Sequence, residues 1–272
     1  MAQDPWQLSG SGPESYEKFQ VPSMFGPLAE VFLQHVELRE GDDLLDVACG
    51  TGIVSRYAAP KVGPTGSITG LDLNAGMLDV AARNAPSAIT NCHWQGGDAQ
   101  HLPFDDATFD VVVCQQGLQF VPDKLAAARE MHRVLKPGGR VGVCVWRSIE
   151  FSPTLSAVSV ALSPHLDDAT VAKVRAPFSF GDEEQVRTTL ADAGFGEVSL
   201  KTATLTRTML SAEQSIPGLI ASTPAGPAFA ELDEDIKTDV IDEVAVALRA
   251  YRTETGFSVP QETYVAQARR FG

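Results

Sequence analysis

The sequence predicts an α/β fold built on a mostly parallel sheet with helices on both faces. Apolar strand patterns alternate with amphipathic helical patterns between residues 43 and 146, and this alternation is typical of parallel sheets. Val111-Val112-Val113 is a continuous apolar run, as a strand buried on both faces requires. Two apolar runs end in an acidic residue, and a glycine-rich turn follows the first of them. Open α/β sheets bind ligands at that edge.

The elements of the first half follow from local signals. Residues 1–13 are rich in Gly, Ser and Pro, which predicts a flexible tail. Residues 14–37 show helical periodicity, carried by Leu28, Val31, Phe32 and Val36. The alternation that follows predicts strand 43–47, helix 52–60, strand 66–72, helix 75–85, strand 90–95, strand 109–115, helix 122–135 and strand 139–146. Pro137 and Gly138-Gly139 are predicted to end the last of these helices.

The regular alternation of strand and helix patterns ends after Trp146. Residues 151–180 are mixed in composition and carry three prolines. Asp182 predicts the start of a helix over 182–193, and Gly194 its end. A strand at 197–207, helices over 211–254 that break near 223–227, and a strand near 258–268 complete the chain.

Composition excludes several classes of function. The 272 residues contain 35 acidic and 21 basic side chains, so the formal net charge is −14. Such a surface opposes binding to nucleic acid and docking on anionic membranes. No stretch is long and apolar enough to cross a bilayer, and the first six residues lack the features of a signal peptide. The four cysteines have neither metal-site nor redox-pair spacing. We therefore expect a cytoplasmic protein without a metal that acts on a small molecule.

The glycine-rich turn predicts a nucleoside-binding site. Gly50 and Gly52 allow a sharp turn and close approach of a ligand, and Asp72 follows at a spacing that suits a carboxylate on ribose hydroxyls. NAD and S-adenosylmethionine both fit this pattern. A dinucleotide site favours a third glycine, where this chain has Ser55. Asp46, just before the turn, would repel a pyrophosphate but attract an ammonium and a sulfonium. These two details favour S-adenosylmethionine.

Four motifs in order resemble those of class I S-adenosylmethionine-dependent methyltransferases. Leu44–Gly52 resembles their first motif and Gly70–Leu78 their second. Gly97–Asp110 is similar to their acidic loop after strand three, and Leu135–Arg140 to the turn before strand five. By pattern the chain most resembles the ubiquinone/menaquinone-biosynthesis-type small-molecule methyltransferases. The resemblance covers residues 40–147.

The resemblance implies a doubly wound, Rossmann-like sheet of seven strands, mostly parallel, whose last strand is antiparallel. It also implies a division of the chain. An amino-terminal tail and helix, 1–37, would lie over the cofactor site, and 38–150 would form the cofactor-binding core. A lid insertion would span 151–180, and 181–272 would complete the sheet. That last segment would include a helical substrate cap at about 208–255.

The resemblance also implies roles for single residues. The methionine part of the cofactor would be bordered by Asp46, Ala48, Gly50, Thr51 and Gly52. Asp72 would bind the ribose, and the adenine would lie against Leu73, Met77, Gly97, Asp98 and Ala99. The methionine amine and the methyl group would lie near Gln115 and Gln116, and the cofactor would be covered by Tyr16 and Phe25. Ordinary structural roles compete with several of these: an acidic turn for Asp98, core packing for Met77, Tyr16 and Phe25, and a polar strand end for the glutamines.

The reaction implied is an in-line displacement in which an acceptor attacks the sulfonium methyl group, leaving S-adenosylhomocysteine. Such a reaction depends mainly on orientation and exclusion of water. No side chain stands in a convincing catalytic pattern, so no catalytic residue is named. Apolar residues within 216–229 hint at an apolar or aromatic acceptor, and helix packing is the competing explanation. Two other functions remain open: a non-catalytic regulator that binds the cofactor, and an NAD-dependent oxidoreductase.

Overall fold

A computed structural model describes residues 8, 10–85 and 91–272 of the chain. The predicted tail at 1–13 therefore lies largely outside the described residues, as does the first residue of the predicted strand 90–95. The chain divides into two compact units. The larger unit comprises Leu8–Val145, Asp182–Ala203 and Thr263–Gly272. Among the described residues, the smaller unit comprises Trp146–Gly181 and Thr204–Glu262. The four-segment division implied by the resemblance stays a prediction.

Seven strands of the described residues form one sheet. They are β1 Asp43–Val47, β2 Ser67–Asp72, β3 Cys92–Gly96, β4 Phe109–Gln115, β5 Leu135–Trp146, β6 Gly196–Met209 and β7 Phe257–Arg269. Their spatial order is β3-β2-β1-β4-β5-β7-β6, and the pairs β1–β2, β1–β4, β2–β3 and β4–β5 are parallel. This confirms the predicted fold class.

The last strand runs antiparallel to β5, as predicted. The backbone of Arg270 receives a hydrogen bond from Gly138 N at 2.8 Å and donates one to Gly139 O at 3.0 Å. Further along, Arg147 N donates to Glu262 O at 3.2 Å. The partner number falls as the residue number rises, which is the mark of antiparallel pairing.

Helices account for most of the remaining described residues. They are α1 Gly12–Ser15, a π-helical segment Tyr16–Phe25, α2 Gly26–His35, α3 Ile53–Val62, α4 Ala75–Arg83, α5 Lys124–Val134, α6 Pro153–Leu162, α7 Asp168–Arg175, α8 Glu183–Asp192, α9 Ala212–Ala221, α10 Gly226–Ala230 and α11 Glu234–Ala247. The predicted start of α8 is confirmed, because the Asp182 carboxylate accepts from Gln185 N at 2.9 Å. Its predicted end is confirmed by the left-handed conformation of Gly194. Within the smaller unit, α11 packs on α6 and α9, and α7 packs on α6.

One predicted boundary is wrong. We expected Pro137 and Gly138-Gly139 to end the helix over 122–135, but α5 already ends at Val134. The proline and glycines instead form an irregular stretch at the start of β5, where the register with β4 shifts. The carbonyls at this end of the helix have other partners. The Arg270 guanidinium donates to those of His132, Arg133 and Leu135, and the backbone amides of Ala107 and Thr108 donate to those of Arg133 and Val134.

The core of the larger unit lies on both faces of its parallel strands. Val111, Val112 and Val113 have no exposed surface, as their continuous apolar run predicts. Within the described ranges, no helix has both the length and the apolar character needed to cross a membrane. In the same part of the chain, no cluster of side chains is suited to hold a metal ion.

Candidate functional site

Polar side chains end three neighbouring strands of the larger unit. Asp46 is the last residue but one of β1, Asp72 is the last of β2, and Gln115 is the last of β4. Strand β1 lies between the other two, and its residue Asp46 pairs with Val113 of β4. Since the three strands are parallel, these side chains come to the same edge of the sheet, where α/β folds bind ligands.

The turn after β1 holds an unusual backbone conformation. The angle φ is +56° at Ala48, +55° at Gly50 and +81° at Gly52, all in the left-handed region. Glycine adopts this conformation without strain, whereas a residue with a Cβ pays about 1–2 kcal/mol. Ala48 is therefore strained, and strain of this kind clusters at functional sites.

Asp72 fixes the turn to the end of β2. Its Oδ2 accepts a hydrogen bond from Gly50 N at 2.8 Å, and its Oδ1 accepts one from Asn74 N at 2.8 Å. Burial raises the pKa of the Asp72 carboxyl, although the backbone donors oppose that rise. A carboxylate oxygen has two lone pairs, so each oxygen can still accept from a ligand. Leu73 is 66% exposed beside it, and Met77 is half-buried in the first turns of α4.

Asp46 is buried with one oxygen satisfied and one not. Its Oδ2 accepts from Ser55 N at 3.2 Å and from Ser55 Oγ at 2.8 Å. Its Oδ1 has no hydrogen-bond partner among the described residues. Burial, with a smaller contribution from the charge of Asp72, raises the pKa of Asp46 to about 7 despite the bonds from Ser55. Ser55, which stands where a dinucleotide site has its third glycine, therefore binds the Asp46 carboxylate.

Trp94 supports the glycine turn, a role that no local pattern in the sequence indicates. It lies in β3, and a Cβ placed on Gly52 would come within 2.5 Å of its Cη2 atom. A Cβ on Gly70 would also collide with the indole ring. A Cβ on Gly50, in contrast, would meet nothing within 4 Å among the described residues. Glycine is therefore required at position 52 both by the backbone conformation and by the close packing of Trp94, and at position 50 by the backbone conformation alone.

This difference predicts unequal costs for two glycine substitutions. Gly50→Ala should lower the free energy of unfolding by about 1–2 kcal/mol, from backbone strain. Gly52→Ala should cost about 1–3 kcal/mol more, because the methyl group also overpacks against Trp94. Urea denaturation measures both. In a double-mutant cycle, Trp94→Leu should recover part of the Gly52→Ala cost and none of the Gly50→Ala cost. Equal costs for the two glycines would contradict this account.

The acidic loop after β3 is internally bonded. The Asp98 Oδ1 atom accepts from Gln100 N at 2.9 Å, and both Asp98 oxygens accept from Gln100 Nε2 at 3.2 Å. The structure therefore gives Asp98 the bonds of an acidic turn, the competing role foreseen for it. Ala99 is buried beside it, and Gly97 N donates to Asp72 O at 3.1 Å.

A side-chain clamp on α5 holds this loop in place. Arg133 donates to Phe104 O at 2.8 Å and to Leu102 O at 3.0 Å, and it pairs with Glu130 at 2.8 Å. Glu130 in turn accepts from Leu102 N at 2.8 Å. The Arg133 guanidinium lowers the pKa of Glu130, so the clamp is charged near neutral pH. No motif in the sequence pointed to this pair.

The two glutamines at the end of β4 differ in their surroundings. Gln115 Nε2 donates to Phe25 O at 3.2 Å, and its Oε1 is buried with no hydrogen-bond partner. Gln116 is in the left-handed region at φ +56°, and its Nε2 donates to Thr263 Oγ1 at 2.9 Å. Gln116 Oε1 accepts from Gln119 Nε2 at 2.7 Å. The amide of Gln116 is thus fully engaged in the interior, whereas Gln115 keeps a free acceptor.

The amino-terminal residues predicted to cover the cofactor lie in the larger unit. The rings of Tyr16 and Phe25 stack with centroids 5.0 Å apart. Burial, with a contribution from the charge of Asp72, raises the pKa of the Tyr16 hydroxyl, so this ring lies within electrostatic reach of the acid that ends β2. Glu17 pairs with Arg56 of α3 at 2.8 Å, and Asn74 Nδ2 donates to Leu8 O at 2.7 Å. The segment is therefore tied to elements on either side of the glycine turn.

Buried acceptors without partners gather around this turn. Besides Asp46 Oδ1 and Gln115 Oε1, Thr51 Oγ1 is buried and unbonded among the described residues. A buried polar atom without a hydrogen bond costs about 1–3 kcal/mol. Two oxygens that can only accept, next to a turn with exposed apolar Leu73, are suited to a ligand that carries a donor group and a flat apolar body.

Comparison with known proteins finds similarity to methyltransferases within the larger unit. Residues 45–143 match the family described as "Methyltransferase domain". The chain is 34% identical over 175 residues to a 2-phytyl-1,4-beta-naphthoquinone methyltransferase of Arabidopsis thaliana, covering 58% of the chain and 65% of that relative. It is 45% identical over 123 residues to a demethylmenaquinone methyltransferase of Staphylococcus aureus, covering 45% and 49%. The chain thus spans about half to two thirds of the length of these curated relatives.

Solved structures share the fold. The chain is similar to the YcgJ protein of Bacillus subtilis, with a TM-score of 0.62 and 18% identity over 90% of this chain and 98% of that one. It is also similar to a Haemonchus contortus phosphoethanolamine N-methyltransferase in complex with S-adenosylhomocysteine, with a TM-score of 0.60 and 17% identity over 97% and 59%. At such identities the likeness concerns the fold alone.

Proposed function

We propose that this chain is a class I S-adenosylmethionine-dependent methyltransferase of the ubiquinone/menaquinone-biosynthesis type, which transfers a methyl group from S-adenosylmethionine to a small-molecule acceptor. The proposal is supported by the match of residues 45–143 to a methyltransferase domain family and by the names of the curated relatives. The product of the cofactor would be S-adenosylhomocysteine. The cytoplasmic location of the protein stays a prediction.

The observation that carries the proposal is the state of Asp46. Its buried Oδ1 has no partner, while Ser55 holds the other oxygen. The methionine part of S-adenosylmethionine carries an ammonium group, which could donate a hydrogen bond to the unbonded Oδ1 of Asp46. The unbonded Oε1 of Gln115 offers a second acceptor at the same sheet edge. A pyrophosphate in the same place would be repelled by the ionised Asp46 and could not accept a hydrogen bond from either of these two oxygens, so the geometry favours S-adenosylmethionine over NAD.

The other predicted contacts are consistent with this arrangement and remain proposals. Asp72 would hold the ribose hydroxyls through the lone pairs that Gly50 and Asn74 leave unused. Leu73 and Met77 would pack on the adenine, and Ala99 would offer its backbone amide. When bound, S-adenosylmethionine supplies a methyl group already activated by its sulfonium. The residues named here bind, orient and exclude water, and proximity of this kind accounts for much of the rate enhancement.

We propose that residues outside the part of the chain that matches the family select the acceptor. The matched range ends at residue 143, before every described residue of the smaller unit. Both curated relatives carry names that refer to a naphthoquinone or menaquinone. We propose a small organic acceptor of apolar or aromatic character, consistent with those names. His132 is not assigned as a base, because its ring packs edge-on against that of Phe195, with centroids 5.0 Å apart.

Titration calorimetry at two pH values tests the proposal. The ammonium binds the ionised form of Asp46, so binding must release a proton wherever Asp46 is protonated in the free protein. With a pKa of about 7, affinity for S-adenosylmethionine should be roughly tenfold weaker at pH 6 than at pH 7.5. Asp46→Asn keeps an acceptor for Ser55 but removes the charge. It should bind more weakly, with the pH dependence lost.

The alternatives give different results. An NAD-binding site would show NADH affinity that rises toward pH 6, as Asp46 loses its charge, and would overturn the proposal. A regulator would bind S-adenosylmethionine in the expected way but would not transfer labelled methyl to any member of a panel of quinols, phenols and amines. Transfer of the labelled methyl group to one member of the panel identifies an enzyme. At subsaturating cofactor this transfer should be lost in Asp46→Asn.

A further inference from the structure

Arg56 joins the glycine turn to the π-helical residues Tyr16–Phe25, here called the amino-terminal segment. Its Nη1 donates to Thr51 O at 2.7 Å, and its Nη2 donates to Glu17 Oε1 at 2.8 Å. Side chains of a helix point back toward its amino terminus, and α3 begins directly after the turn, so Arg56 can reach both partners. The Arg56 and Glu17 side chains are only 20% and 25% exposed, so salt screens this pair less than a surface pair.

The bond to Thr51 fixes a part of the turn that the local sequence leaves free. Thr51 lies between Gly50 and Gly52, and glycine populates many backbone conformations. Asp72 holds one end of the turn, because it accepts from Gly50 N at 2.8 Å. Arg56 holds the other end at the carbonyl of Thr51. The two side chains together therefore select one shape of the turn.

The amino-terminal segment depends on bonds to neighbouring elements. It is π-helical over ten residues, whereas π-helices are mostly single turns, and Pro22 within it lacks a backbone donor. At its end, Phe25 O accepts from Gln115 Nε2 at 3.2 Å, so the segment lies beside the strand ends of the candidate site. Near its start, Glu17 ties it to Arg56. Loss of this tie should therefore loosen the segment.

We propose that Arg56 is a positioning residue for the cofactor, which couples the placement of the amino-terminal segment to the shape of the glycine turn. The inference rests on the proposed binding of S-adenosylmethionine at this edge of the sheet. Coupling between two linked equilibria is reciprocal. The ordered segment favours the turn shape that binds the cofactor, and the bound cofactor favours the ordered segment. Arg56 acts through Thr51 and Glu17 and needs no contact with the cofactor.

Limited proteolysis tests the coupling without measuring activity. Lys18 is the only lysine or arginine before Arg39, so trypsin has one site within the segment. Cleavage there requires local opening. We define protection as the ratio of the cleavage rates without and with saturating S-adenosylhomocysteine. Protection should be about tenfold or more in the wild type and mostly lost in Arg56→Met, even at saturation. Mass spectrometry of the fragment that begins at Phe19 identifies the cleaved bond.

Titration calorimetry measures the same coupling from the cofactor side. Arg56→Met should raise the dissociation constant of S-adenosylhomocysteine about tenfold. Glu17→Ala leaves the bond to Thr51 intact and should raise it by less. The double variant should bind no more weakly than Arg56→Met alone, because both changes remove one coupling. Arg56→Lys should restore part of the loss, since lysine keeps the charge but lacks the planar fork of a guanidinium.

A second ion pair at the same end of the chain provides the matched control. Arg83 of α4 pairs with Glu14 of α1 at 2.7 Å, and the two side chains are 58% and 56% exposed. This pair joins the amino-terminal residues to α4 instead of to the glycine turn. Arg83→Met should therefore leave both the dissociation constant and the protection unchanged.

Several results would overturn the proposal. They are wild-type affinity or retained protection in Arg56→Met, additive losses in the double variant, and a loss in Arg83→Met as large as in Arg56→Met. If urea denaturation shows that Arg56→Met is unfolded, Glu17→Ala decides, because retained protection in that variant also contradicts the coupling. If the wild type binds neither S-adenosylmethionine nor S-adenosylhomocysteine, the proposed function fails first. Normal binding by the wild type together with any of the other results removes only the role of Arg56.

Discussion

Replacing Asp72 with alanine is expected to weaken binding of S-adenosylmethionine and S-adenosylhomocysteine by about 100-fold or more. Loss of a charged hydrogen-bonding partner at a ligand costs about 2–5 kcal/mol, and each 1.4 kcal/mol is tenfold in affinity. Asp72 also receives the amide of Gly50, so its loss releases the glycine turn from β2. Titration calorimetry with each of the two ligands measures the effect.

Asp72→Asn separates charge from shape in this prediction. An asparagine has one oxygen, whereas Asp72 accepts backbone amides on both of its oxygens. The amide nitrogen would therefore face a donor, and we expect a loss nearly as large as for alanine. Asp43→Asn is the control. Asp43 begins β1 at the opposite edge of the sheet and pairs with Lys136 at 3.0 Å. Its loss should leave affinity unchanged. If Asp72→Ala bound S-adenosylmethionine with wild-type affinity, this edge of the sheet would not be the cofactor site.

Asp42→Ala is expected to lower the free energy of unfolding by about 3–5 kcal/mol. Asp42 pairs with Arg140 of β5 where both side chains are almost fully buried, at 7% and 4% exposure. Asp42 also accepts from Arg39 N at 2.7 Å. Removal of the acid leaves a buried guanidinium without its counter-ion, and that penalty exceeds the net value of the pair. Urea denaturation of the cofactor-free protein measures the change.

An exposed pair provides the control for this prediction. Glu183 pairs with Arg187 on the surface of α8, with exposures of 49% and 35%. Glu183→Ala should cost less than about 1 kcal/mol, because water screens such pairs. Removal of both buried charges, as Asp42→Leu with Arg140→Met, should recover much of the Asp42→Ala loss. A cost below about 1 kcal/mol for Asp42→Ala alone would show that solvent reaches the pair.

The sequence predicted the elements that have local signals. The glycine turn, the acids that end β1 and β2, and the alternation of strands and helices are all encoded within a few residues. The predicted fold class is confirmed for that reason, and residues 45–143 match a methyltransferase domain family. The site assignments derived from them, Asp46 and Asp72 among them, stay predictions, with geometry that is consistent with the roles proposed.

The unpredicted features depend on residues distant in sequence. Trp94 lies 42 residues beyond Gly52, and nothing around either residue reveals that the ring packs under the turn. Asp42 and Arg140 are 98 residues apart, and Arg270 and Leu135 are 135 apart. The end of α5 at Val134 was missed for the same reason, because Arg270, whose guanidinium bonds carbonyls at that helix end, lies far away in the sequence.

The bond between Gln116 and Thr263 has a consequence for how the chain folds during synthesis. These residues are 147 positions apart, and Thr263–Gly272 belongs to the larger unit that holds the glycine turn. When synthesis has passed residue 145, the strands that carry Asp46, Asp72 and Gln115 are complete, but Thr263, the partner of Gln116, has not yet been made. We expect the nascent larger unit to remain incompletely ordered there until its last segment emerges. Contacts this distant in sequence also slow folding, because the loop must close before they form.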